Sequence, residues 1–222
     1  MPNAKPILFG HPFSSYCQKV LIALYENATP FDFRALGPED PAAGDELAKL
    51  WPLKKFPVLV DGKHSVFEAS IIVEYLDVHY PGAVKFIPAD TQAALEVRKL
   101  DRVFDNYIMT PMQKLVSNQI RQPGDRDAFG VSEAKQMLAT AYQWLDGLME
   151  KRIWAAGNNF SLADCAAAPS LFYADWAHPI DVRHKHLRAY RTRLLARPSF
   201  ARAVDEARPF RPFFPLGAPD RD

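Results

Sequence analysis

Cysteine is nearly absent from this chain: Cys17 and Cys165 are the whole supply in 222 residues. Two thiols make neither a multi-disulfide scaffold nor a cysteine-rich zinc site, and their scarcity fits a reducing compartment. No run of ~18 apolar residues occurs, so no membrane span is expected. The opening segment MPNAKPILFG lacks a basic stretch followed by a long apolar one and does not read as a secretory leader. Charge of one sign is missing too, since 27 Lys+Arg against 26 Asp+Glu leaves +1. A protein built on phosphate contacts carries a basic surplus, so nucleic acid is not expected as a main partner. The histidines show no HExxH or other ligand spacing, and no metal is expected. Neither a P-loop, a GxGxxG nor a GxSxG is present. The expectation is a cytoplasmic protein.

What remains is an ordinary globular composition. Hydrophobic residues are 48% and charged residues 24%, close to the usual ~45–50% and ~25%. At ~150 residues per domain, the length suits one large domain or two small ones. Pro6 to Phe9 is a short apolar run ending at Gly10 and reads as a buried strand. Ser14 or Ser15 then opens a helix whose apolar face is Cys17, Val20, Leu21 and Leu24. Phe31 to Ala35 alternates as a strand does, and Asp40 to Leu50 reads as a helix opened by Pro41. Two strand-like runs, Pro57 to Val60 and Val66 to Phe67, flank the hairpin signal Asp61-Gly62. A helix over 69–79 comes next.

Beyond it the strand signals vanish. Helices are expected over 91–118, 131–151 and 161–176, with a pair over 186–207 broken near Pro198. The breaker-rich RQPGDRDAFG separates the first two. The proline-rich tail cannot be helix and should lie over the surface. The switch from mixed to helical character places a unit at 1–80, a linker at 81–90 and a second unit at 91–222.

Four sites carry chemistry or its local alternative. Ser14-Ser15-Tyr16-Cys17 lies at a strand-to-helix turn, where free N–H groups and the helix dipole lower the pKa of a thiol. A serine hydroxyl there can donate one more hydrogen bond to a thiolate. The alternative is a serine N-cap, worth ~1 kcal/mol, with Cys17 as a small buried hydrophobe. Ser14 to Cys17 also has CxxC spacing with the first cysteine replaced, which removes the exposed nucleophile. Phe56-Pro57 starts a strand, which suits a sheet edge or a cis bond. Glu68 precedes a helix, where it either complements the dipole or pairs with a ligand's ammonium while the amides beyond hold a carboxylate. Ser161-Leu162-Ala163-Asp164 is a capping box variant and reads as structural.

In order and spacing, KPILFGHPFSSYCQKVLIAL, LKKFPVLVDG, VFEASIIVEYLD and FSLADCAAAPSLF together resemble the glutathione S-transferase family. The first three cover most of residues 5–80; the fourth marks the family's helical part. The resemblance implies an α/β thioredoxin-like N-terminal domain plus an all-α C-terminal domain. It implies glutathione as co-substrate, with Ser14 at its sulfur. Lys55 would hold the glycine carboxylate, Phe56 before a cis Pro57 the cysteinyl part, and Glu68 with the Ala69 amide the γ-glutamyl end. A lysine serves there as a point charge. The family usually has serine where this chain has Ala69, so one hydroxyl contact is lost unless Ser70 compensates.

The resemblance further implies a homodimer that conjugates glutathione to small, largely apolar electrophiles bound between the domains. Phe13, Tyr107, Met109 and Trp176 are the expected walls of that second site. Ser14-Ser15 also resembles the zeta class, although Tyr16-Cys17-Gln18 departs from it. Two alternatives therefore stand beside conjugation: a glutathione-dependent isomerase (maleylacetoacetate-like) or dehalogenase, and a non-catalytic ligand-binding protein of the same fold.

Overall fold

A computed structural model describes residues 5–222; residues 1–4, part of the segment read above for a leader, lie outside the described residues. Strand β1 (Ile7–Gly10) sits centrally in a four-stranded sheet, parallel to β2 (Asp32–Ala35) and antiparallel to β3 (Val58–Asp61). Strand β4 (His64–Phe67) pairs antiparallel with β3, giving the order β2-β1-β3-β4. Parallel strands need a crossover, and helix α1 (Ser15–Glu26) supplies it. The Asp61-Gly62 hairpin forms as expected, with Gly62 at φ 56°. Helix α2 (Pro41–Leu50) starts on Asp40, whose side chain accepts the Ala43 N–H. Helix α3 (Ala69–His79) closes the mixed unit, and no helix or strand intervenes before Thr91.

The helical unit begins with α4 (Thr91–Val103), followed without a break by a π-helical segment (Phe104–Met109) and α5 (Thr110–Ile120). The single regular helix expected there is therefore interrupted. Within the segment the Thr110 N–H reaches back five residues to the Asp105 carbonyl, and the Thr110 hydroxyl donates to the same oxygen at 2.9 Å. Helix α6 (Ala128–Met149) begins inside the stretch read as a breaker, because Asp127 caps it by accepting the Gly130 N–H at 2.7 Å. Helix α7 (Leu162–Ala177) is the buried spine of the unit, enclosed from Leu162 to Trp176. Its capping box forms: the Ser161 N–H donates to Asp164 Oδ2 at 2.9 Å. The Tyr190 hydroxyl donates to the other oxygen of Asp164 at 2.6 Å.

Helices α8 (Lys185–Leu195) and α9 (Pro198–Ala207) break at Pro198 as expected. The tail corrects the sequence expectation, since Arg208–Phe213 forms a 3₁₀ helix. Pro209 stands in its first turn, where no N–H is needed. Phe214 just beyond is buried rather than laid over the surface. Helix α1 packs on α3, α7 and α9, so one apolar core runs through both units from Leu8 to Leu194.

Candidate functional site

The turn between β1 and α1 is fixed by its own polar groups. The Ser14 N–H donates to the His11 carbonyl at 3.0 Å, and the Phe13 N–H to His11 Nδ1 at 3.1 Å. Ser14 has the extended backbone of an N-cap, and its hydroxyl oxygen accepts the Cys17 N–H at 3.4 Å. The capping alternative is thus realised, yet it leaves the Ser14 hydroxyl proton available to an anion. The first amides of α1 have no carbonyl one turn earlier and point the same way.

Cys17 is wholly enclosed, and burial pushes its thiol up to about 11. Its sulfur receives the His11 N–H at 3.4 Å. A β-carbon on Gly10 would stand 2.7 Å from that sulfur, so only glycine lets the strand end pass over it. Cys17 is therefore a packing residue beside the turn and not its nucleophile.

Above this turn opens a cavity of about 700 Å³. The mixed unit contributes Ser14, Ser15, Tyr16, Lys55, Phe56, Pro57, Glu68 and Ala69 to its lining. Every residue expected to hold the tripeptide is thus brought to one space. The Phe56–Pro57 bond is cis. Trp51 and Lys54 add to the rim, and Trp51 stacks on Phe67 with ring centroids 4.4 Å apart. Tyr16 lines the cavity as a phenol that stays protonated, its pKa raised to about 12 mainly by burial.

Glu68 occupies the N-cap position of α3 at φ 66° and ψ 118°. A glutamate there carries strain of about 1–3 kcal/mol, which persists where the surroundings impose it. Its side chain makes no capping bond to the helix, so the dipole alternative does not account for its placement. The carboxylate is left as an acceptor for something that enters the cavity. Ser70, by contrast, is turned away. It accepts from Lys19 Nζ at 2.8 Å, donates to Asp101 Oδ2 at 2.9 Å, and also meets Arg102 Nη2. Engaged in that buried cluster and absent from the lining, Ser70 does not replace the hydroxyl missing at Ala69.

The far wall differs from expectation. Phe13 does line the cavity, edge-on to Tyr173 at 5.4 Å. Met109 is 1% exposed and belongs to the core. Trp176 stands behind the wall, packed on Tyr173 and Phe214. Tyr107 faces outward, 51% exposed, beside Met137 and Trp144 in a separate groove of about 650 Å³. The π-helical segment is the reason, since its surplus residue rotates the succeeding turns relative to a regular helix. The wall is built instead by Arg102, Asp105, Asn106, Met112, Gln113 and Val116 from the helical unit. Tyr173 and the tail residues Phe213, Phe214 and Pro215 complete it. Arg102 had no sequence signal, because an Asp-Arg pair within a helix reads as a solvated face.

The cavity unites a hydroxyl at a helix N-terminus, an uncommitted carboxylate, a lysine-bearing rim and an aromatic wall. Such a set suits a small zwitterionic peptide bearing an anionic centre, next to an apolar molecule. Among the described residues no group of three or more His, Cys, Asp or Glu gathers to hold a metal ion. No helix among them is long and apolar enough to cross a membrane.

Comparison with known proteins agrees with this geometry. Residues 8–83 match the model of the glutathione S-transferase N-terminal domain, and residues 128–193 that of the C-terminal domain. A probable maleylacetoacetate isomerase of Vibrio cholerae is 29% identical, with 91% of this chain and 97% of that protein covered. A stringent starvation protein A homolog of Haemophilus ducreyi is 25% identical, covering 91% of each. Among solved structures, a glutathione S-transferase of Methylobacterium radiotolerans in complex with glutathione sulfonate is 29% identical. It superposes with a TM-score of 0.78 over 90% of this chain and 95% of that one.

Proposed function

Because this chain belongs to the glutathione S-transferase family, we propose that it is a glutathione transferase acting on small, largely apolar electrophiles. The carrying observation is the placement of Ser14: its hydroxyl caps α1, lines the cavity and keeps a proton to donate. Glutathione supplies the nucleophilic thiolate of this chemistry. The chain's part is to hold that sulfur as an anion, with the Ser14 hydroxyl and the first amides of α1 as donors. Each unit by which a thiol's pKa falls favours the thiolate by ~1.4 kcal/mol.

Lys55 is assigned to the glycine carboxylate and the Phe56 backbone, beside Pro57, to the cysteinyl part. Glu68 is assigned to the γ-glutamyl ammonium, with the Ala69 amide beside it. Its uncapped, strained carboxylate is what makes the fit to an ammonium group specific. The electrophile rests on Phe13, Met112, Val116 and the tail aromatics. The outward groove at Tyr107, Met137 and Trp144 suits the homodimer seam, because apolar rings left facing water favour a second copy. Two buried free thiols suit work in a reducing cytoplasm.

The test is Ser14→Ala with glutathione and a chlorodinitrobenzene electrophile. Loss of one donor to the reacting anion should lower kcat/KM by about 100-fold, while Cys17→Ala retains turnover. Unchanged turnover in Ser14→Ala together with abolition in Ser15→Ala or Cys17→Ala would overturn the assignment. A second reading, isomerisation by the same thiolate, draws on the Vibrio cholerae relative. Turnover of a cis-dienone diacid without conjugation to chlorodinitrobenzene would favour it.

A further inference from the structure

The deletion of a hydroxyl at Ala69 leaves the cavity short of a donor beside Glu68, and a donor from the other unit stands in the same space. Arg102, in the last turn of α4, lines the cavity with Glu68 and Ala69. One edge of its guanidinium is fully used. Nε and Nη2 meet Asp101 Oδ2 at 3.0 and 2.6 Å, and Nη2 also meets Asp105 Oδ2 at 2.8 Å and Ser70. The remaining nitrogen, Nη1, has no hydrogen-bond partner among the described residues, and the side chain is half exposed. The two acids holding the used edge are themselves fixed by buried Lys19, at 2.5 and 2.9 Å. A guanidinium clamped along one edge cannot swing into solvent. It presents its other donors in a set direction, as recognition of a carboxylate requires.

Glu68 and Arg102 therefore offer the cavity one acceptor and one cationic donor. An α-amino acid end, with ammonium and carboxylate on one carbon, is complementary to that pair. We propose that Nη1 of Arg102 binds the α-carboxylate of the γ-glutamyl arm, in place of the hydroxyl absent at Ala69. The proposal rests on the reading of the cavity as a glutathione site and adds to it a contact from the helical unit. It makes tripeptide binding depend on the docking of the two units as well as on the mixed unit.

The experiment is calorimetric titration with glutathione and with its γ-aminobutyryl analogue, which lacks only that carboxylate. The parent chain should bind glutathione about 10- to 100-fold more tightly, as expected for a charge-assisted contact. Arg102→Met should bind the two ligands within about threefold of each other, and Ala69→Ser added to it should restore part of the preference. Arg102→Lys keeps a cation beside Asp101 and Asp105, so it serves if Arg102→Met does not fold. Its preference should fall several-fold, because one ammonium cannot serve the acids and the ligand together. If the parent chain prefers glutathione and both Arg102 variants keep the full preference, the Arg102 contact is refuted while the tripeptide site stands. An effect of Arg102 only on the KM of an acidic electrophile would likewise refute it. If the parent chain binds neither tripeptide, the glutathione reading falls and this proposal with it.

Discussion

Lys19 of α1 and Asp101 of α4 meet at 2.5 Å with their side chains 1% and 3% exposed, so the ionic tie between the two units lies in dry protein. Such a pair adds little over an apolar replacement of both partners, but removing one partner strands the other charge. Lys19→Met should therefore cost about 3–5 kcal/mol in urea unfolding. Lys19→Met with Asp101→Leu should cost less than Lys19→Met alone. A loss below about 1 kcal/mol in the single variant would show the tie to be dispensable.

Gly10 and Cys17 set the second expectation. A methyl at Gly10 meets the enclosed sulfur at 2.7 Å, and overpacking of this kind costs about 1–3 kcal/mol. Gly10→Ala should lower the unfolding midpoint, and adding Cys17→Ala should recover most of the loss by making room. Because burial holds the Cys17 thiol up at about 11, the native chain should also resist iodoacetamide at neutral pH. Prompt labelling of Cys17 would contradict its assignment as a packing residue.

His11 gives the pH expectation. Burial lowers its pKa below 6.5, with nearby Glu39 partly opposing the fall. Its neutral ring accepts the Phe13 N–H and packs edge-on to Phe210 of the tail at 4.5 Å. The stabilisation is thus complete above pH 6.5 and is lost as pH falls through the lowered native value. An NMR titration should place the His11 ring below 6.5, with stability declining in the same acidic window. A ring titrating above that ordinary value would reverse the sign.

The groove at Tyr107 and Trp144 gives the fourth. Trp144→Glu would set a charge at the centre of an apolar seam, close to Glu133 of the same groove. The parent chain should sediment at twice its own mass, and the variant at the mass of one chain. A parent chain of single mass at micromolar concentration would end the homodimer proposal.

Much of this was legible in the residues, because the signals are local. Ser14, Asp40 and Ser161 announce helix starts by chemistry confined to three or four positions. Asp61-Gly62 announces its turn in the same way. Glu68 could be placed at a helix entrance, though its positive φ could not. The failures concern phase and return. A pattern of apolar spacing passes over one surplus residue between Phe104 and Met109 without a sign. The rotation it causes decides whether Tyr107 or Met112 meets the cavity. The tail's prolines read as breakers, whereas Pro209 at a first turn is compatible with 3₁₀ helix. Nothing near Phe214 says that the chain comes back to its own first loop.

The surplus residue also bears on sequence change. Deleting one position between Phe104 and Met109 would let the hydrogen bonds close regularly, and by ordinary criteria would yield a better helix. It would also turn α5 by about 100°, one residue's share of a turn. Met112, Gln113 and Val116 would leave the cavity together while Lys19, Asp101 and Arg102 stayed put. Length in this segment thus works as a selector of which side chains meet the guest molecule, and a single-codon deletion could re-specify it wholesale where several point substitutions would adjust it piecemeal.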